Sequence, residues 1–306
     1  MTKRMTARPG QLRAAVLAAI AAWCACAGTA SAAALASGVT GSTLCVNADP
    51  AQDPYQHIES LLGSGAVEAP SDKVYTPARP HVLQRDDTNG AYFSFIAIDP
   101  SDVNLDHKPL SAGGDRTRTE IKVAPSQGGV HQPFKAHEGD TFVYTWRFRI
   151  APEMKFARSF THIHQIKANG GDFAEPPLIT FTPLANGQME VRHVGDRLRN
   201  SGKDAVLGTM PLAGVAGQWM DVREEITYSN SAGRYRLSIR DQQGTERLAI
   251  ARDGLQMWRS GADHMRPKWG IYRKHNAALN QDTEDHIDFA SFGITHGATP
   301  SSSCRD

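Results

Sequence analysis

The sequence predicts an all-β protein: a single domain built as an antiparallel sandwich, jelly roll or barrel. Three observations carry that prediction. Apolar residues recur with a period of two, so that Phe142, Tyr144, Trp146, Phe148 and Ile150 alternate with Val143, Thr145, Arg147 and Arg149, the pattern of a strand with one apolar face. Runs of this kind are short, numerous and separated by turn residues, as in sandwiches and barrels. Helical periodicity is weak, and no internal repeat is present.

The first segment sets the compartment. Lys3, Arg4, Arg8 and Arg13 precede an apolar stretch over residues 14–27, and Ala30-Ser31-Ala32 offers a small-residue cleavage site. This is the layout of a secretory signal peptide, residues 1–32, and its apolar stretch is too short to span a membrane. The mature chain is therefore expected to be secreted, periplasmic or extracellular, with no membrane anchor. Losing the leader removes four basic residues and no acidic ones, so the formal net charge moves from +1 to about −3. That balance gives no global case for nucleic acid, and any attraction for a polyanion must come from a local basic strip. Two cysteines remain, Cys45 and Cys304, one near each end. In an oxidising compartment they are expected to form a single disulfide. Residues 33–306 then make one domain, with 33–75 as an N-terminal extension tied to the C-terminus.

Within that domain a short helix is expected over residues 55–62, and a second near 255–258. Residues 64–90 and 100–115 are rich in Pro, Asp and Gly and read as long loops. Strands are expected at 91–99, 116–123, 142–150, 160–167, 178–183, 188–194, 219–228, 234–240, 268–273 and 286–295. Asn186-Gly187 marks a hairpin, and residues 241–244 form another turn.

Three of these strands carry unusual chemistry. In the first, period-two geometry groups Arg116, Arg118, Glu120 and Lys122 opposite Thr117, Thr119 and Ile121. In the second, Gln165 and Lys167 share a face with Thr161 and Ile163, while His162 and His164 share the other with Ile166. Two histidines at that spacing could ligate a metal, but no third ligand is evident. In the third, Lys268, Gly270, Tyr272 and Lys274 share a face, and a glycine in mid-strand implies close approach of another backbone or a ligand. Each strand also has a plain structural reading: a solvated outer face, hydrogen-bonded histidines, and a tyrosine packed at a sheet edge.

In order and content, the three strands resemble the signature strands of the jelly-roll polysaccharide lyases, the group of alginate, glucuronan and heparin lyases. Arg118-Thr119-Glu120 looks like their Arg-x-Glu strand. Gln165-Ile166-Lys167 stands where alginate lyases carry Gln-Ile-His, and Lys268, Gly270 and Tyr272 are similar to the Lys-x-Gly-x-Tyr strand with its catalytic tyrosine. The resemblance covers roughly residues 90–295 and is nearest the glucuronan-lyase side. It implies an antiparallel β-jelly-roll sandwich of the concanavalin-like type. The activity it implies is β-elimination on a uronic-acid-containing polysaccharide, by a monomer with that anionic polysaccharide as its partner. No cofactor is required, and a structural calcium is compatible with the reading.

On this reading Tyr272 and Gln165 are catalytic, with Arg116, Arg118, Glu120, Lys167, Lys268, Arg273 and Lys274 binding substrate. The position where alginate lyases place histidine holds Lys167, so a histidine must come from elsewhere or Tyr272 must act alone. His131, in the glycine-containing loop after the Arg-x-Glu strand, is the preferred candidate, and His164 the second, if its strand faces the other way. A glycoside hydrolase on the same fold would need two facing carboxylates, for which Asp221, Glu224 and Glu225 are the densest cluster. A non-catalytic carbohydrate-binding protein is the other alternative.

Overall fold

The structure, a computed structural model, describes residues 41–70, 80–99, 101–102, 114–123, 132–196, 205–275, 279, 283–298 and 304. The chain divides into Met1–Ser37, which lies outside the described residues, and Gly38–Asp306, which carries the fold. Among the described residues no helix is long and apolar enough to cross a membrane.

Among its described residues, Gly38–Asp306 carries fifteen strands and one α-helix. In chain order they are β1 (Thr43–Val46), α1 (Pro54–Leu62), β2 (Val67–Glu68), β3 (Val82–Asp87), β4 (Gly90–Asp99), β5 (Arg116–Lys122), β6 (Thr141–Ile150), β7 (Thr161–Asn169) and β8 (Ile179–Pro183). There follow β9 (Gln188–His193), β10 (Ala205–Pro211), β11 (Met220–Thr227), β12 (Gly233–Asp241), β13 (Glu246–Leu255), β14 (His264–Lys274) and β15 (Thr283–His296). They form two antiparallel sheets. One runs β13-β12-β11-β6-β15-β4-β3, with β1 also on β15, and the other runs β10-β9-β8-β7-β14-β5-β2. This is the jelly-roll sandwich that the sequence predicts.

Alternation places the core. Phe142, Tyr144, Trp146, Phe148 and Ile150 of β6 are all at most 2 % exposed, and they meet the inward residues of the second sheet. Trp146 packs edge-on to Trp269 of β14 with ring centroids 5.8 Å apart, and Phe181 of β8 lies 5.6 Å from it. Burying each such ring stabilises the fold by about 2 to 3 kcal/mol. Cys45 of β1 is disulfide-bonded to Cys304.

Helix α1 starts where its sequence says it should. The Asp53 carboxylate accepts from the Gln56 amide, Pro54 opens the first turn, and Gly63 ends it at φ +102°. The second expected helix is not there: β13 runs out to Leu255, and the following Met257 amide bonds back to Ser229. Residues 64–90 also differ from the expected loop, since they contain β2 and β3.

Candidate active site

The three unusual strands lie side by side in the second sheet, in the order β7-β14-β5. Their register aligns the polar residues into rows. Lys268 stands opposite Lys122 on one side and Gln165 on the other, while Tyr272 stands opposite Arg118 and His162. Glycine at 270 makes that approach possible. At φ +138°, a Cβ there would fall 2.1 Å from the Thr119 carbonyl oxygen and 2.7 Å from the Glu120 Cα. The close partner that a mid-strand glycine implies is thus the β5 backbone.

Register shifts between Trp269 and Tyr272 against β7. Opposite that bulge, Ile163 and His164 both turn into the core, so the parity of β7 changes. His162 consequently comes out beside Tyr272, with ring centroids 6.2 Å apart. This corrects the expected pairing of the two histidines on one face. His164 is fully buried against Trp146 and Trp269. Its Nδ1 donates to the Lys268 carbonyl at 2.9 Å, and its Nε2 meets the Glu224 carboxyl at 2.9 Å. It is a core residue and does not reach the outer face. The preferred candidate, His131, lies outside the described residues.

On the outer face a connected cluster has formed. Glu120, fully buried, accepts from the Gln165 amide and from Lys268 Nζ at 3.1 Å, with Arg118 Nε at 3.6 Å. The Arg118 guanidinium stacks on the Tyr272 ring at 4.4 Å from its centroid. Burial opposes its charge, but Glu120, Glu68 and Tyr272 outweigh burial and hold the guanidinium firmly protonated. His162 donates or accepts through Nδ1 at 2.9 Å from the Thr182 hydroxyl, and its ring stacks on Phe160. Burial first, then Arg192 and Arg116, push the His162 imidazole down to about 3, so it is neutral near pH 7.

The remaining expected substrate contacts divide. Lys167 is on this face, paired with Glu175, and burial followed by Lys268 and Arg118 lowers its basicity. Arg116 and Lys274 flank Tyr272 and both pair with Asp115. Arg273 points the other way. It is fully buried, bonding Asp285 at 2.7 Å, Asp99 at 3.2 Å and the Lys155 carbonyl at 2.9 Å, and it ties the two sheets together. It is therefore not a substrate contact. His162 was missed because strict alternation hides a bulge that only the strand register reveals.

The carboxylates that hydrolysis would need are not facing one another. Glu224 is buried between the sheets with the Tyr235 hydroxyl on its second oxygen at 2.8 Å. Asp221 pairs with Arg147, and Glu225 with Arg223. Among the described residues, no group of three or more His, Cys, Asp or Glu could hold a metal ion.

Comparison with known proteins extends this picture. The profile of a family described as polysaccharide lyase matches residues 77–290. No curated sequence matches the chain. Among solved structures, a marine family 14 alginate lyase from Aplysia kurodai is similar at a TM-score of 0.51 and 10 % identity, covering 83 % of this chain and 99 % of that one. A family 7 alginate lyase in complex with substrate reaches 0.48 at 13 % identity, over 76 % of this chain and 92 % of that one. A family 131 β-glucanase catalytic domain from Podospora anserina reaches 0.46 at 12 % identity, over 79 % and 86 %. At such identities the structural likeness establishes the fold alone.

Proposed function

The chain belongs to the polysaccharide lyase family, and on that premise we propose that it cleaves a uronic-acid-containing polysaccharide, glucuronan- or alginate-like, by β-elimination. One observation carries the reading: a phenol, a neutral imidazole and a set of carboxylate-binding donors share one face of one sheet.

The chemistry follows from those groups. The proton at C5 of a uronate is only weakly acidic while the neighbouring carboxylate is charged. Gln165, with Arg118 and Lys268, receives that carboxylate and stabilises the enolate-like charge that develops. His162, held neutral by burial, takes the C5 proton through Nε2 while its Nδ1 is steadied by Thr182. The electron pair left at C5 forms the double bond to C4, the C4–O bond breaks, and Tyr272 protonates the departing oxygen. Tyr272 acting as both base and acid is the second version. It is favoured where the polymer presents the proton and the leaving oxygen on one side. Arg116 and Lys274 flank the phenol and lengthen the polyanion-binding face.

Residues 1–32 have the layout of a leader, and removal of that leader with export fits the substrate, since a polymer of this kind is met outside the cell. The Cys45–Cys304 disulfide is at home in the same oxidising compartment.

Incubation with a panel of unsulfated polyuronates, followed by ultraviolet absorbance of the unsaturated uronate end, tests the reading. Cleavage that yields new reducing ends without that absorbance would replace elimination by hydrolysis. No cleavage of any member would remove the substrate class.

A further inference from the structure

Strand β2 contributes only two residues to the sheet, and one of them carries a carboxylate into the cation cluster. The pairing of Val67 with Ile121 and of Glu68 with Glu120, together with the Lys122 amide bonded to the Ala66 carbonyl at 2.9 Å, fixes its position. Glu68 Oε1 lies 2.8 Å from Lys122 Nζ, its Oε2 touches the Lys268 ammonium, and Arg118 approaches to 3.8 Å. Burial alone would make Glu68 hard to ionise, but Lys268 and Lys122 reverse this and hold it down at about 2. It is a fixed charge at every working pH. Arg266, further along β14, lies in the field of the same carboxylate.

Glu68 and Glu120 both set carboxylates against Arg118 and Lys268, and Glu68 also against Lys122. The other cations of the face have their own counter-ions: Arg192 on Glu190, Lys167 on Glu175, and Arg116 and Lys274 on Asp115. Glu68 therefore puts a fixed negative charge beside the cations proposed to receive the uronate carboxylate. A polymer that also carries sulfates would bring further anions against the Glu68 oxygens, and like charges at such distances repel strongly when partly desolvated.

We propose that Glu68 is a charge-selecting residue, which keeps this face matched to unsulfated polyuronates and turns away sulfated ones. The proposal rests on the functional reading above and names the substrate class more narrowly. The test compares wild type, Glu68→Gln and Glu68→Asp on a polyglucuronate and on its chemically O-sulfated derivative. Both kcat/KM and equilibrium binding of each polymer are measured at low and high salt. Glu68→Gln should raise the sulfated-to-unsulfated ratio of both quantities by at least about tenfold at low salt, with the gain shrinking as salt screens it. Glu68→Asp, which keeps the charge, should hold the ratio near wild type. An unchanged ratio in Glu68→Gln, or equal weakening toward both polymers with a lower Tm, would overturn the proposal in favour of a structural role. If no polyuronate is cleaved by wild type, the elimination reading fails, while the binding ratio still decides the role of Glu68.

Discussion

On the proposed mechanism, Tyr272 and His162 divide the chemistry between an acid that must deliver a proton and a base that must be free to take one. Tyr272→Phe removes one oxygen and keeps the ring that Arg118 stacks on. We expect turnover to fall by about two to four orders of magnitude with little change in Tm, the usual contribution of a positioned acid or base. Retained activity in that variant would rule the phenol out. For His162 the electrostatics make a separate prediction. Its folded-state pKa of about 3 lies below the ordinary 6.5, so the unfolded chain binds the proton first as pH falls. The stabilisation is therefore complete above the ordinary value, is lost progressively down to about pH 3, and amounts to at most about 4 to 5 kcal/mol. His162→Gln should flatten that acid limb in denaturant titrations across pH and, if His162 is the base, abolish most elimination at neutral pH. An unchanged acid limb would show that His162 is not held neutral. Residue types and the resemblance of the three strands to the polysaccharide lyases pointed to Arg118, Glu120, Gln165, Lys268 and Tyr272. They could not find His162, because its direction is decided by a partner strand.

At the scale of the strands, the bulge of β14 against β7 does the arranging. It lets Tyr272 and His162 emerge together while Trp269 and His164 turn into the core. Gly270 allows that strand to lie against β5, and Gly270→Ala would drive a Cβ into the Thr119 carbonyl oxygen from a left-handed backbone. We expect a loss of about 3 kcal/mol or more and a matching collapse of activity. A variant that melts like wild type and stays active would show that the close approach is dispensable. The strands legible in the sequence are all interior to their sheets: β4, β5, β6, β7, β8, β9, β11, β12, β14 and β15. Those that were missed include all four edges, β2, β3, β10 and β13, with the four-residue β1. The reason is physical. An edge strand has a neighbour on one side only, so its sequence is free to carry charge, Pro or Gly, as in Arg85-Asp86-Asp87 of β3 and Gly208 and Pro211 of β10. In β13 charged residues flank the apolar run from Leu248 to Ala251, so no period of two shows. Glu68, on edge strand β2, was hidden in the same way.

For the whole molecule, the question is what holds two sheets in one alignment while one of them presents its outer face to a polymer. The aromatic layer around Trp146 supplies adhesion without direction, but the polar links across it fix the register. Arg273 joins β14 to Asp99 of β4 and Asp285 of β15. His164 joins the Lys268 carbonyl to Glu224, which in turn holds the Tyr235 hydroxyl. Both run from the strand that carries Tyr272 to the opposite sheet, so that strand is anchored twice from behind. Removing one partner of such a buried set costs more than its net contribution, because the other is left charged and unpaired. The covalent tie acts elsewhere. Cys45 pairs in register with Gly293 of β15, and the disulfide to Cys304 closes a loop spanning 259 positions. In the chain-entropy view a loop this long stabilises by about 5 kcal/mol, with smaller gains common in practice. The bond restrains the unfolded chain and lies in the sheet opposite to the candidate site. Reduction, or the double variant Cys45→Ala with Cys304→Ala, should therefore lower Tm clearly while leaving kcat and KM near wild type at temperatures where the protein remains folded. Thiol titration of the unreduced protein checks the premise, and two reactive thiols would sink it. A reduced protein that melts as before, or one that loses turnover while still folded, would show that the bond serves the site rather than the stability of the sandwich.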